Sequence, residues 1–264
     1  MTNRDILDVL VDLRDRGEAH VVATVVGIEG SVSADKGAKA VFDADGRLLA
    51  GWVGGGCADS AASAAAREVL TAGEGKLVPI DMDDEILGTG VPCGGSMQVW
   101  VEPMLPRPSV WLLGQGRLVE SLCRMATVSG FDVIVDDPRA TTERFPDAVR
   151  VYTDDLDYSQ LQPRRDDFVV VATQHKGDHH SVSRALNAGA GYIALVASRK
   201  RARLVLESLR GDGFTGEQLE AVVAPAGLDL GGRSPEEIAL AILGEMVLLR
   251  HGGTGQRLKD RKPL

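Results

Sequence analysis

Apolar and polar positions follow two different rhythms along the chain, and the change between them divides it. Ile6, Leu7, Leu10, Val11 and Leu13 recur at helical spacing and predict a first helix over residues 3–16, stopped by Gly17. "HVVATVVGI" (20–28) is nearly unbroken apolar sequence and reads as a buried strand. In "KAVFDADGRLLAGWV" (39–53) two apolar runs flank Asp45-Gly46, a strong hairpin signal. An alanine-rich helix to about Leu70 follows, then strands at "KLVPIDM" (76–82) and "SMQVWVEPM" (96–104).

At "PMLPRPS" (103–109) Pro103, Pro106 and Pro108 interrupt the pattern, as proline-rich segments between domains do. Beyond it, strands and helices alternate. Apolar runs at "SVWLLG", "FDVIVDD", "VRVYT", "DFVVVATQ", "GYIALVA" and "LEAVVAP" predict six strands, most of them separated by helical patterns. That alternation implies a parallel sheet covered on both faces. The fold class expected is therefore α/β: a small α+β N-terminal domain over 1–104, then a Rossmann-like, doubly wound parallel-sheet domain over 109–251. The polar residues 252–264 are expected to form a loose tail.

With 264 residues the chain is long enough for two cores, and 44% hydrophobic with 25% charged residues is ordinary for a globular protein. The net charge of −9 argues against nucleic acid as a partner. No apolar run reaches the length of a transmembrane segment, and "MTNRDILDVL" has no secretory signal pattern. Three cysteines, Cys57, Cys93 and Cys123, make no disulfide framework, and a cytoplasmic location is expected.

The candidate chemistry lies in glycine-rich turns. "GWVGGGCADS" runs Gly54, Gly55 and Gly56 into Cys57 and a helix start, where unpaired N–H groups and the positive dipole end face the loop. Glycine lets another molecule approach the backbone, so the stretch reads as an anion cradle with a soft nucleophile or metal ligand beside it. A second such loop, "LGTGVPCGG" (87–95), carries Cys93, and Lys36 and Lys39 supply cations. A tight strand-to-helix turn and two packing thiols are the plainer reading of the same glycines and cysteines.

The second domain opens with "VWLLGQGRLVESLCRMATVSGFDVIVDD", which has the layout of a dinucleotide fold: Gly114 and Gly116 at the turn, and Asp136 where the ribose ligand is expected. Its third glycine is replaced by Val119. Cys123 falls on a helical stripe with Val119, Met125 and Ala126 and is expected to pack against the sheet. His175 and Lys176 follow the fourth parallel strand at the ligand-binding edge. His179 and His180 read as surface residues at a helix start capped by Asp178. In "SRKRARLVLESLR" Ser198 and Arg199 are placed to reach a phosphate, although such a run is usually a solvated helix face. Ser234, Pro235 and Glu237 mark the start of a last helix.

Taken together in order, these motifs resemble the XdhC/CoxI family of molybdenum-cofactor maturation chaperones over nearly the whole chain. The matching steps are Gly30-Ser31, Gly37-Ala38-Lys39, Gly55-Gly56-Cys57 and Cys93-Gly94-Gly95, with "VDDPRATTERFPDA", "YIALVASRKR" and "PAGLDLGGRSPEEIALAIL" further on. The resemblance implies a protein that binds molybdenum cofactor, as molybdopterin or its cytosine dinucleotide. It would support sulfuration of the cofactor by a cysteine desulfurase. It would then deliver the cofactor to an apo-molybdoenzyme client of the xanthine dehydrogenase or carbon-monoxide dehydrogenase type. The implied cofactor-binding residues are Ser31, Lys36, Lys39, Gly55, Gly56, Cys57, Cys93, Gly94, Gly95, Gly114, Gly116, Asp136 and His175, with Cys57 and Cys93 as candidate molybdenum or sulfur contacts. A homodimer is expected, and no catalytic residue is assigned. The chain departs from the family at Ser33-Ala34, where Pro-Arg is usual, and at Arg117 and Val119, where His and Gly are usual.

Two other classes fit parts of the sequence. An NAD(P)-dependent oxidoreductase would use the Rossmann-like domain with His175 or Lys176 as acid/base. A sulfur-relay enzyme would carry a persulfide on Cys57 or Cys93.

Overall fold

Residues 1–106 and 107–264 form two units, each with its own buried core. The computed structural model describes residues 3–81, 95–173 and 177–260.

The first unit begins with α1 (Asn3–Arg16) and β1 (His20–Gly30), followed by the hairpin of β2 (Lys39–Phe42) and β3 (Leu48–Gly51). The hairpin turn forms where the sequence predicts it. Gly46 takes φ +77°, and Asp43 Oδ1 accepts from the N–H groups of Asp45 and Arg47 at 2.9 and 2.8 Å. Then come α2 (Gly56–Ala72), β4 (Lys76–Asp81) and β5 (Gly95–Met104). The strands form one antiparallel sheet in the order β3-β2-β1-β5-β4. α2 lays Ala58, Ala62, Ala65, Ala66 and Val69 over it, small residues that let the helix lie close to the strands. On α1, Ile6 and Leu13 bury themselves against Val41 and Ala50.

The second unit runs β6 (Ser109–Gly114), α3 (Arg117–Val128), β7 (Asp132–Asp136), β8 (Arg150–Tyr152), β9 (Phe168–Ala172), α4 (Asp178–Asn187), β10 (Tyr192–Leu195), α5 (Arg199–Gly211), α6 (Gly216–Leu219), β11 (Val222–Val223) and α7 (Pro235–His251). All strand pairs are parallel, in the order β11-β10-β9-β6-β7-β8. That is the doubly wound order of a Rossmann fold, and its direction reverses between β6 and β9. Both faces are covered. Val110 and Leu112 of β6 join Val119, Cys123, Ile242 and Met246 in one core, while Trp111 and Leu113 join Val182, Val205 and Leu209 in the other.

Two local expectations are corrected, and a third holds. Gly177, in the left-handed region at φ 95°, caps α4 instead of Asp178. The Asp178 carboxylate is buried and taken by the Thr173 hydroxyl and the Arg201 guanidinium, partners that outcompete a cap N–H because one is charged. The last strand shrinks to Val222–Val223, because Thr215 and Gln218 form a capping box that turns the preceding residues into α6. Ser234 and Glu237 form the expected capping box with Pro235 in the first turn of α7.

Candidate functional site

In the first unit two loops run side by side. The Ser33 hydroxyl donates to the Gly54 carbonyl at 2.9 Å, and the Trp52 N–H donates to the Lys39 carbonyl at 2.8 Å. Between them opens a cavity of about 650 Å³ lined by Ser33, Lys36, Gly37, Lys39 and Trp52, among others. Lys36 is exposed, and Lys39 is half-buried with its ammonium donating to Thr24 Oγ1 at 2.8 Å. The wall thus carries two cations, one carboxylate (Asp35) and an aromatic face, a net positive combination suited to a large anionic ligand with a planar ring.

The same hydrogen bond ties this cavity to the glycine cradle. Gly54, Gly55 and Gly56 have φ +129°, +70° and +45°. A Cβ at Gly55 or Gly56 would meet nothing within 4 Å, so the backbone conformation demands these glycines and the space before the helix is open. Gly55 caps α2 with no side-chain hydrogen bond and its carbonyl takes the Ala58 N–H at 3.0 Å, leaving the Gly56 and Cys57 N–H groups to whatever approaches. Asp59 instead reaches back to accept from the Val53 N–H at 3.1 Å, which fixes the turn. Cys57, a free half-buried thiol, stands in the first turn of α2.

Ser31 is exposed, and a Cβ at Gly95 would lie 2.7 Å from the Ser31 carbonyl, so Gly95 serves the close approach of β5 to β1. Cys93, Gly94, His175 and Lys176 lie outside the described residues.

In the second unit, Gly114 has φ +134° and Gly116, the cap of α3, has φ +113° with no side-chain cap bond. Arg117 pairs with Glu236 at 2.8 Å, and Arg144 reaches Gln115 at 2.6 Å and Glu120, so the helix start is rimmed by arginines held by carboxylates. Val119 packs in the core at 2% exposure. Asp136 ends β7 opposite Leu113 of β6 and is 1% exposed. Neither of its carboxyl oxygens has a hydrogen-bond partner among the described residues. Burial first, then the charges of Asp155 and Asp137, push its pKa up to about 7.

Ser198 uses its hydroxyl to cap α5, accepting from the Arg201 N–H, and Arg201 pairs with Asp178 at 2.6 Å. Cys123 is a packing thiol, buried among Val119, Leu122 and Ala126, and burial raises its pKa to about 11. Among the described residues no group of three His, Cys, Asp or Glu side chains could hold a metal ion, and no helix is long and apolar enough to cross a membrane. Sequence reasoning passed over Ser33 as a site residue, Trp52 and Tyr158. Trp52 has a visible signal, standing two residues before the glycines, whereas Tyr158 sits in a loop without periodicity.

Comparison with known proteins is consistent across the chain. The family model described as "XdhC Rossmann domain" matches residues 110–246, and that described as "XdhC and CoxI family" matches residues 13–81. A relative described as uncharacterized protein YqeB, from Escherichia coli (strain K12), is 26% identical over 92% of this chain and 46% of its own length. A relative from Bacillus subtilis (strain 168), described as a probable subunit of xanthine dehydrogenase, is 28% identical over 58% of this chain and 46% of its own length. The chain thus spans about half the length of these two curated relatives. The molybdenum cofactor insertion chaperone PaoD of Escherichia coli (strain K12) is 22% identical over 94% of this chain and 89% of its own. A crystal structure described as a xanthine dehydrogenase from Bacillus halodurans shares the fold at 20% identity, covering 97% of each chain with a TM-score of 0.50.

Proposed function

The chain belongs to the XdhC and CoxI family, and from that premise we propose that it is a maturation factor that binds molybdenum cofactor and hands it to an apo-molybdoenzyme of the xanthine dehydrogenase or carbon-monoxide dehydrogenase type. The observation that carries this reading is the Ser33–Gly54 hydrogen bond, which joins the Lys36/Lys39 cavity to the glycine cradle and so to Cys57. The residues present fit the group. Lys36, Lys39 and the α2 N–H groups would hold its phosphate, Trp52 would flank its ring system, and Cys57 would offer a soft ligand beside it. When bound, the cofactor supplies the molybdenum–dithiolene centre on which a cysteine desulfurase acts before transfer.

The protein's own part is to bind, orient and shield. Open glycines admit a bulky ligand to the backbone, and the two lysines, which outnumber the one carboxylate of the lining, Asp35, offset its charge. In the second unit, taken by itself, Gly114 and Gly116 would admit a nucleotide phosphate to the start of α3, with Asp136 at the ribose position. Relatives named as an insertion chaperone and as a xanthine dehydrogenase subunit support this reading. The test is co-expression with the cofactor pathway, followed by measurement of molybdenum and of pterin fluorescence after oxidation. Protein that copurifies with neither, under conditions where a client enzyme is loaded, would overturn the proposal.

A further inference from the structure

The last helix, α7, is apolar around more of its circumference than the core it covers requires. Ala239, Ile242, Leu243 and Met246 are buried in the core of the parallel sheet. On the other side Leu240 and Val247 stand 49% and 36% exposed, one turn before and one turn after Gly244. At 3.6 residues per turn these three positions lie within about 60° of one another and form one stripe. A helix at a protein surface keeps its outer side polar, and a helix apolar all round has that side covered. The stripe is flat at its centre, because Gly244 has no side chain. Leu228 lies alongside, 3.2 Å from where a Cβ of Gly244 would stand, in a loop held to the helix by the Leu228 N–H donating to the Ala241 carbonyl at 3.0 Å. Leu230, exposed in the same loop, adds to the apolar surface beside the helix.

The charges of α7 lie at its ends and differ in sign: Glu236 and Glu237 in the first turn, Arg250 and His251 in the last. Gly244 falls close to the midpoint between them, as it does between Leu240 and Val247. Along the outer side the helix thus reads acid, leucine, glycine, valine, base. Two such faces laid antiparallel set leucine on valine twice and bring each acidic first turn to the other's basic last turn. A parallel pairing would set like charge against like at both ends. Part of this charge is engaged within the chain: Glu236 pairs with Arg117 at 2.8 Å, Glu237 accepts from the Ser234 N–H at 2.9 Å, and Arg250 lies 5.1 Å from the Phe131 ring centre. The ends therefore select direction, and the apolar centre supplies the contact.

We propose that a second copy of this chain docks on the outer face of α7, antiparallel about a two-fold axis at Gly244, with Leu240 of each copy on Val247 of the other. Neither the expectation of a homodimer nor the matched relatives assign a surface, and the proposal does not draw on Lys36, Lys39 or Cys57. A helix of 17 residues is about 25 Å long, so the pair covers less than the roughly 800 Å² per partner of a standard interface. The dimer it makes is reversible and depends on concentration.

Sedimentation equilibrium of the full chain between about 1 and 200 μM tests this, the range in which a small interface associates. The unaltered chain should pass from monomer toward dimer. Leu240→Glu and Val247→Lys, both at exposed positions, should each weaken dimerisation at least about tenfold, with circular dichroism and melting temperature unchanged. Mixed in equal amounts, the two variants should dimerise again, because antiparallel pairing sets the new acid against the new base and leaves Leu240 on Val247 at the other contact. Should a charged variant fail to fold, the Leu240→Ser/Val247→Ser double variant takes its place and should be monomeric. An unaltered chain that stays monomeric would leave the face to another protein and overturn the proposal. So would a single charged variant or the double serine variant that dimerises as the unaltered chain does, or a mixture no more dimeric than its components.

Discussion

Gly114 closes directly against the carbonyl of Ala172 in the neighbouring strand: at φ +134°, a Cβ there would lie 2.3 Å from that oxygen. The contact sits at the point where the sheet reverses its strand order, so the glycine holds the two central strands together at the ligand edge. Gly114→Ala adds both a steric clash with backbone and a disfavoured φ, and should cost at least about 2 kcal/mol. Denaturant unfolding measures this, and a variant as stable as the unaltered protein would refute the packing role.

Gly56 presents the opposite case. Its φ is +45°, yet a Cβ would meet nothing within 4 Å. Gly56→Ala should therefore cost only about 1–2 kcal/mol and leave the protein folded. If the cradle takes an anion by close backbone approach, the same methyl group should lower molybdenum retention severalfold. A folded Gly56→Ala protein with full retention would show that the space before α2 is not used.

Much of this frame is legible in the sequence because its signals are local. Asp45-Gly46 makes its hairpin, Ser234 and Glu237 cap their helix, and apolar strands alternating with helices give the parallel sheet. What escapes is set by contacts between distant positions. Nothing near Ser33 indicates that its hydroxyl meets Gly54, 21 residues on, and nothing near Asp155 or Tyr158 shows that they line a crevice with Ser181. Asp178 looks like a helix cap for the same reason, since its partner Arg201 lies 23 positions away.

Asp136 makes stability depend on pH in a direction unusual for a carboxyl group. In the folded protein it keeps its proton up to about pH 7, whereas in the unfolded chain it loses it near pH 4. Between those values the folded state binds more protons, so stability falls as pH rises through this window and stays lowered above it. Asp136→Asn removes the penalty. The variant should be more stable than the unaltered protein at pH 8, by up to about 4 kcal/mol, with little difference at pH 4. Thermal unfolding at the two pH values decides it, and a gain of equal size at both would refute the assignment.

Cys57 and Cys123 should differ sharply toward an alkylating reagent. Cys123 is 1% exposed with its pKa near 11, while Cys57 is half-buried at an open turn. In a Cys93→Ser background at pH 8, native protein should take up one equivalent of iodoacetamide, at Cys57, and a second only on unfolding. Mass spectrometry of the labelled peptides reads this directly. Early labelling of Cys123 would mean that the core around Val119 and Leu122 opens readily.

Lys36 and Lys39 line one cavity but are anchored differently, which separates binding from stability. Lys39 donates to Thr24 across the paired strands β2 and β1 and is half-buried, so Lys39→Met should cost on the order of 1 kcal/mol of stability. Lys36 is exposed, and Lys36→Met should leave stability within about 0.5 kcal/mol. If both ammonium groups serve an anionic ligand, each variant should retain less molybdenum, and the double variant less again. Retention by the unaltered protein should also fall with added salt, more steeply than in the double variant, because screening acts on the charges that the substitutions remove. Loss of retention in Lys39→Met alone, in step with its loss of stability, would mean that the cavity holds no anion and that Lys39 only braces the sheet.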